Sequence, residues 1–192
     1  MKRLVIALLI LIPGAALAFD ATPTSPRIGV LRQAGERIHH DALVSDSVLR
    51  YLRDELRDRG LDAFDVDLTY HEAMDDGYAD ADFLIEVVSE ADGGEYGGVG
   101  VGGPHGGVEL SLSIARVVAE VRVYDGRTFE LIAREDLRKK NTAVLPTAVA
   151  LGGRRSWLSI AAPIAQWAQF RHVARSTARE AASRVTATIA EQ

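Results

Sequence analysis

From Val108 to Val123 an apolar residue recurs at every second position, with a single slip, which is the period of a β-strand that buries one face. Val108, Leu110, Leu112 and Ile114 occupy one set of alternate positions, and Val117, Ala119, Val121 and Val123 the other. A bulge or bend near Arg116 would bring both sets to a common face. Asp125-Gly126 then signals a tight turn into a second strand, Thr128 through Leu137. On the N-terminal side, residues 93–107 hold nine of the seventeen glycines. A run so poor in side chains has little to bury and loses much entropy on ordering, so it is expected as the mobile tip of a hairpin, the Gly-rich hairpin 93–107. Phe83 through Val88 reads as a strand buried on part of both faces, and the middle of the chain as an antiparallel meander.

The flanks read differently. Arg27 through Leu31 is a short apolar strand. Val44, Val48, Leu49, Leu52 and Leu56 form one helical stripe, with Ser45 or Asp46 suited to cap it and Gly60 placed for a left-handed terminal residue. Phe64, Val66 and Leu68 alternate with polar residues as a further strand. Strand, helix, strand in so short a span implies a right-handed crossover with parallel strands. Tyr70 through Asp82 reads as a loop or short helix, and Asn141 through Arg155 has no clear period. Trp157, Ile160, Ala161, Ile164, Trp167 and Phe170 share a helical face that Pro163 would start or kink. A last helix from about Phe170 carries Ala174, Ala178, Ala181, Ala182, Val185 and Ile189 on one stripe, with Arg171, Arg175 and Arg179 beside it. The expected fold is a single α+β domain. Its mixed sheet is a β-α-β unit followed by an antiparallel meander, covered by an N-terminal and a C-terminal helix.

Residues 1–18 stand apart from this fold. Lys2 and Arg3 precede the apolar run Leu4 through Ile12, Pro13-Gly14 breaks it, and Ala16-Leu17-Ala18 is a small-x-small site, so the segment reads as a signal peptide cleaved near Ala18. The apolar run is shorter than the roughly 20 residues that a membrane-spanning helix needs. Residues 19–27 form an extended leader and 28–192 the domain, and the expected location is periplasmic or secreted. There is no cysteine, so neither disulfides nor thiol chemistry enter.

The formal net charge is −5, which makes nucleic acid a poor partner. It is unevenly spread: Asp41 through Glu95 carries 17 acidic and 4 basic residues, whereas Arg127 through Arg184 carries 4 acidic and 11 basic. The two blocks either neutralise each other on folding or leave an acidic and a basic face.

The motifs point weakly to chemistry. Gly98 through Gly103 matches GxGxxG, but Pro104, more glycine and a strand follow it where a helix is required, so no nucleotide is expected. His71-Glu72-Ala73-Met74-Asp75 opens like a zinc-protease helix yet has Asp75 in place of the second histidine. With Asp76, and with His39 and His40 elsewhere, these are the candidate metal ligands; Asp80 and Asp82 add oxygen donors at a spacing that fits no standard calcium loop. No GxSxG occurs. Ser111 and Ser113 fall on the polar side of their expected strand. No cofactor is expected.

Both tryptophans lie near Arg154 and Arg155. Trp157, Trp167 and Phe170 either cover the sheet or form with those arginines an amphipathic patch for a partner or membrane surface.

Ile28 through Leu31, the Val48 to Gly60 helix, Ala79 through Val88, and Val117 through Ala133 with its Tyr124-Asp125-Gly126-Arg127 corner run in an order that resembles known envelope domains. They are typified by the curli-secretion protein CsgG, the penicillin-binding-protein activator LpoB and the TolB N-terminal domain. The resemblance implies a sheet-and-helix module that binds other envelope proteins without catalysis, and it carries over no functional residue. This chain departs from it in lacking a lipobox cysteine, in the glycine-rich segment and in the Trp157 to Phe170 stretch. The function expected is a non-catalytic periplasmic accessory module in envelope assembly whose partners are envelope proteins or a second copy. Two alternatives stay open: a metal-dependent or hydrolytic enzyme using the histidine and aspartate loops, and a small-ligand-binding protein.

Overall fold

The computed structural model describes residues 25–33, 41–103, 106–151, 154–155 and 161–192. Among these residues, six strands and three helices follow in the order β1 (Arg27–Leu31), α1 (Asp41–Asp58), β2 (Asp62–Val66), α2 (Tyr70–Asp75), β3 (Phe83–Gly103), β4 (Gly106–Asp125), β5 (Leu131–Leu151), β6 (Arg154–Arg155) and α3 (Ala161–Ala190). They form one mixed sheet of order β2-β1-β3-β4-β5-β6. β1 runs parallel to both β2 and β3, and every later pairing is antiparallel. The crossover unit and the meander are thus both present in an α+β domain.

α1 and α3 lie side by side on one face of the sheet. Val48, Leu52 and Leu56 of α1, and Ala174, Ala178, Ala181 and Ala182 of α3, are buried against Ile85, Val87, Val117, Val121 and Val123. The alanines let α3 sit close to the strands, and each fully buried Leu or Val contributes about 1.5–3 kcal/mol. Gly60, at φ 82°, ends α1 in the left-handed region. Pro163 stands in the first turn of a single 30-residue α3, where no intrahelical bond needs its missing N–H. The arginines beside the alanine stripe tie the two helices together. Arg179 Nε lies 3.3 Å from Glu55 and Arg171 Nε donates to the Tyr51 hydroxyl at 3.0 Å.

Among the described residues, the opposite face is covered at one end only. There α2 buries Ala73 beside Leu31, Val66, Leu84 and Tyr124. Thr69 and Glu72 close a capping box at its N-terminus, and Arg32 NH2 reaches Glu72 at 3.0 Å.

Three features differ from the sequence expectations. The glycines of residues 93–103 lie in the arm of the hairpin, paired along β4, and only residues 104–105 separate β3 from β4. Backbone pairing needs no side chain, and Gly93 is required: a Cβ there would stand 2.3 Å from Phe170 Cζ. No register shift occurs at Arg116; the irregularities fall between Tyr96 and Gly98, between Glu109 and Leu110, and between Val123 and Tyr124. β5 continues to Leu151, through a stretch with no apolar period of its own.

Candidate interaction surface

Because β4 runs without a bulge at Arg116, its two alternating sets point to opposite sides. Ser111, Ser113, Ala115, Val117, Ala119, Val121 and Val123 are buried beneath the helices, whereas Val108, Leu110 and Leu112 face the other way and are exposed. The two serines therefore lie on the covered side, contrary to the sequence reading, because the N-terminal half of α3 extends over them. Gln169 closes that contact: its Oε1 accepts from Ser113 Oγ at 2.8 Å and its Nε2 donates to the Asn141 carbonyl at 3.0 Å.

On the face opposite α1 and α3 the register aligns apolar residues of three strands. Val99 pairs with Leu110, Val101 with Val108, and Leu112 with Val144. Directly opposed residues share a face, so these six make one strip at the distal end of the long hairpin. Their exposures run from 38% at Leu112 to 76% at Val101. Scattered exposed valines need no explanation, but a contiguous strip across three strands is a candidate contact surface.

Between this strip and α2 the same face is charged. Glu86, 5% exposed, receives Arg122 NH1 at 2.9 Å and the Tyr124 hydroxyl at 3.1 Å. Arg122 Nε also bonds Glu120, which Arg134 NH2 reaches at 2.7 Å. Burial and the Glu86 carboxylate push the Tyr124 hydroxyl up to about 12. Burial raises the Glu120 carboxyl too, but the Arg122 and Arg134 guanidiniums outweigh it and leave the group below its usual range. Tyr70 stacks on Tyr124 at 4.3 Å between centroids and donates to the Phe129 carbonyl, so the network is clamped from the α2 side. Every charge in it has an opposite charge, an arrangement that holds strands in register and offers no free acid or base.

The residues singled out from sequence are dispersed. Trp157, His39 and His40 lie outside the described residues. Arg154 and Arg155 form β6 at the distal end, opposite Leu151 and Ala150. Trp167 is 52% exposed on α3 with the Arg171 guanidinium 4.6 Å from its ring centre. Phe170 turns inward onto Gly93 and the core. His71, Asp75 and Asp76 are exposed on and just after α2, and among the described residues no three His, Asp or Glu side chains converge to hold a metal. The strip itself went unrecognised in the sequence, although the slip in the alternation was its signal: without a bulge, two out-of-step sets must face opposite ways.

No protein-family model matches the chain, and no curated protein matches its sequence. Its fold is similar to those of several bacterial lipoproteins. A minor lipoprotein of Acinetobacter baumannii aligns at 13% identity and a TM-score of 0.46, over 84% of this chain and 93% of that one. A Neisseria meningitidis lipoprotein aligns at 12% and 0.41, over 75% and 99%. The rare lipoprotein B of Shewanella oneidensis aligns at 8% and 0.40, over 86% and 98%. No helix among the described residues is long and apolar enough to cross a membrane.

Proposed function

We propose that this chain is a non-catalytic accessory module of the bacterial envelope, exported by its leader, that binds an envelope protein through the distal strip. The observation that carries the reading is the strip itself: Val99, Val101, Val108, Leu110, Leu112 and Val144, exposed together at the end of this face that no described helix covers. An apolar sheet surface of this kind gains free energy when a partner removes it from water. The neighbouring Glu86–Arg122–Glu120–Arg134 network supplies a polar rim on the same face.

Site-specific photo-crosslinking in intact cells tests it. A crosslinker at Val101 or Leu110 should give one discrete adduct with an envelope protein, and one at the exposed corner residue Arg127 should not. Equal labelling at all three positions, or none at Val101 and Leu110, would overturn the proposal.

A further inference from the structure

β5 has a long edge with no partner among the described residues. β6 pairs only with Ala150 and Leu151, and no described strand pairs with the outer side of residues 131–149. An edge of this kind is a ready template for another strand. The other long edge without a described partner strand, β3 beyond its pairing with β1, offers glycines and the acidic Glu90 and Asp92, with no opposite charges to match in a symmetric pairing.

We infer that two copies of this chain pair antiparallel through β5, with Leu137 opposite its own counterpart, so that one sheet runs continuously through both. A two-fold axis normal to the sheet keeps both helix layers on the same side, so opposed residues must share a face. In an alternating strand one residue then lies opposite itself. Centring on Glu135, Asp136, Arg138, Lys139 or Lys140 would set a charge against its own copy. Centring on Leu137 sets an apolar residue against itself, places Asp136 opposite Arg138 of the second copy, and places Glu135 opposite Lys139 of the second copy. The symmetry repeats each pair.

The charges are unspent where this register needs them. Asp136 and Arg138 are exposed and have no ion pair among the described residues. Inside the chain Asp136 lies opposite Glu120, a like charge, so its natural counterion is on the open side. Lys139 is already held by Glu180, and Glu135 of the second copy would join that pair. The one adverse pair, Arg134 with Lys140, lies three positions from the axis, and Glu120 already holds Arg134 at 2.7 Å. On α3, the flank marked by Glu180 continues at helical spacing through Ser176, Ser183 and Ala187, small residues that leave room for the second copy's helix.

The mass of the purified protein in solution, measured by light scattering in the micromolar range, tests the pairing. The wild type should be a dimer, Asp136→Arg and Arg138→Asp should each be monomers with unchanged circular dichroism, and an equimolar mixture of the two should dimerise again. The chain has no cysteine, so Asp136→Cys and Arg138→Cys provide a second readout that does not depend on charge reversal being tolerated. Mixed under oxidising conditions they should give a crosslinked dimer, and each alone much less. A monomeric wild type, dimers that persist in both charge variants, a mixture that stays monomeric, or no mixed disulfide would each overturn the inference. The outcome is separable from that of the distal strip, because neither Val101 nor Leu110 is changed.

Discussion

The ring of Phe170 rests on the bare α-carbon of Gly93. A Cβ added at Gly93 would stand 2.3 Å from Phe170 Cζ and 2.8 Å from the Ile114 carbonyl oxygen. The first neighbour could swing aside, but the second is backbone. Gly93→Ala should therefore destabilise the protein by about 1–3 kcal/mol, as overpacking does. Phe170→Ala made together with it should recover part of that loss. Urea unfolding of the two single variants and the double variant reads the coupling.

Glu86 is a buried carboxylate whose only described cation is Arg122, at 2.9 Å. Arg122→Ala strands that charge and should cost about 3–5 kcal/mol, less whatever water reaches the vacated space. Glu86→Leu in the same chain should restore most of the stability, because an apolar residue needs no counterion. Equal losses in the single and the double variant would show that Arg122 acts through packing alone.

Glu72 reports the acid side. Its hydrogen bonds with the backbone and side chain of Thr69, together with Arg32, hold its carboxyl at about 2 against an ordinary 4.5. A carboxyl depressed by folding adds stability that is fully present above the unfolded value and is lost as pH falls through the folded one. Wild type and Glu72→Gln should therefore differ in thermal midpoint at neutral pH, and the difference should shrink from about pH 4.5 downward and vanish near pH 2. A constant difference across that window would rule out the capping box as its source.

The two faces of the β3–β4 hairpin should respond oppositely to polar substitution. Val101→Ser, on the strip and 76% exposed, should change stability by no more than about 0.5 kcal/mol. Val121→Ser, 1% exposed beneath the helices, should cost about 2–4 kcal/mol through lost burial and a hydroxyl without a guaranteed partner. The same urea titrations would show whether the strip is spare surface or part of the core.

Much of this fold was legible in local pattern. The Val48, Leu52 and Leu56 stripe, Gly60 after it, the alternation of Val117 through Val123 and the Asp125-Gly126 turn each specify an element by spacing alone, since side-chain direction repeats every 3.6 residues in a helix and every two in a strand. Those periods also implied the parallel crossover and the antiparallel meander. What periodicity states is which residues share a face; it does not state which face is covered. That was decided by α3. Its length carries Gln169 over Ser113 and Phe170 onto Gly93, which buries the side of β4 that looked polar and leaves Val108, Leu110 and Leu112 outside. The glycine-rich arm and the far half of β5 were likewise set by pairing with β4, because backbone hydrogen bonds to a long neighbouring strand can order a segment whose own side chains specify nothing.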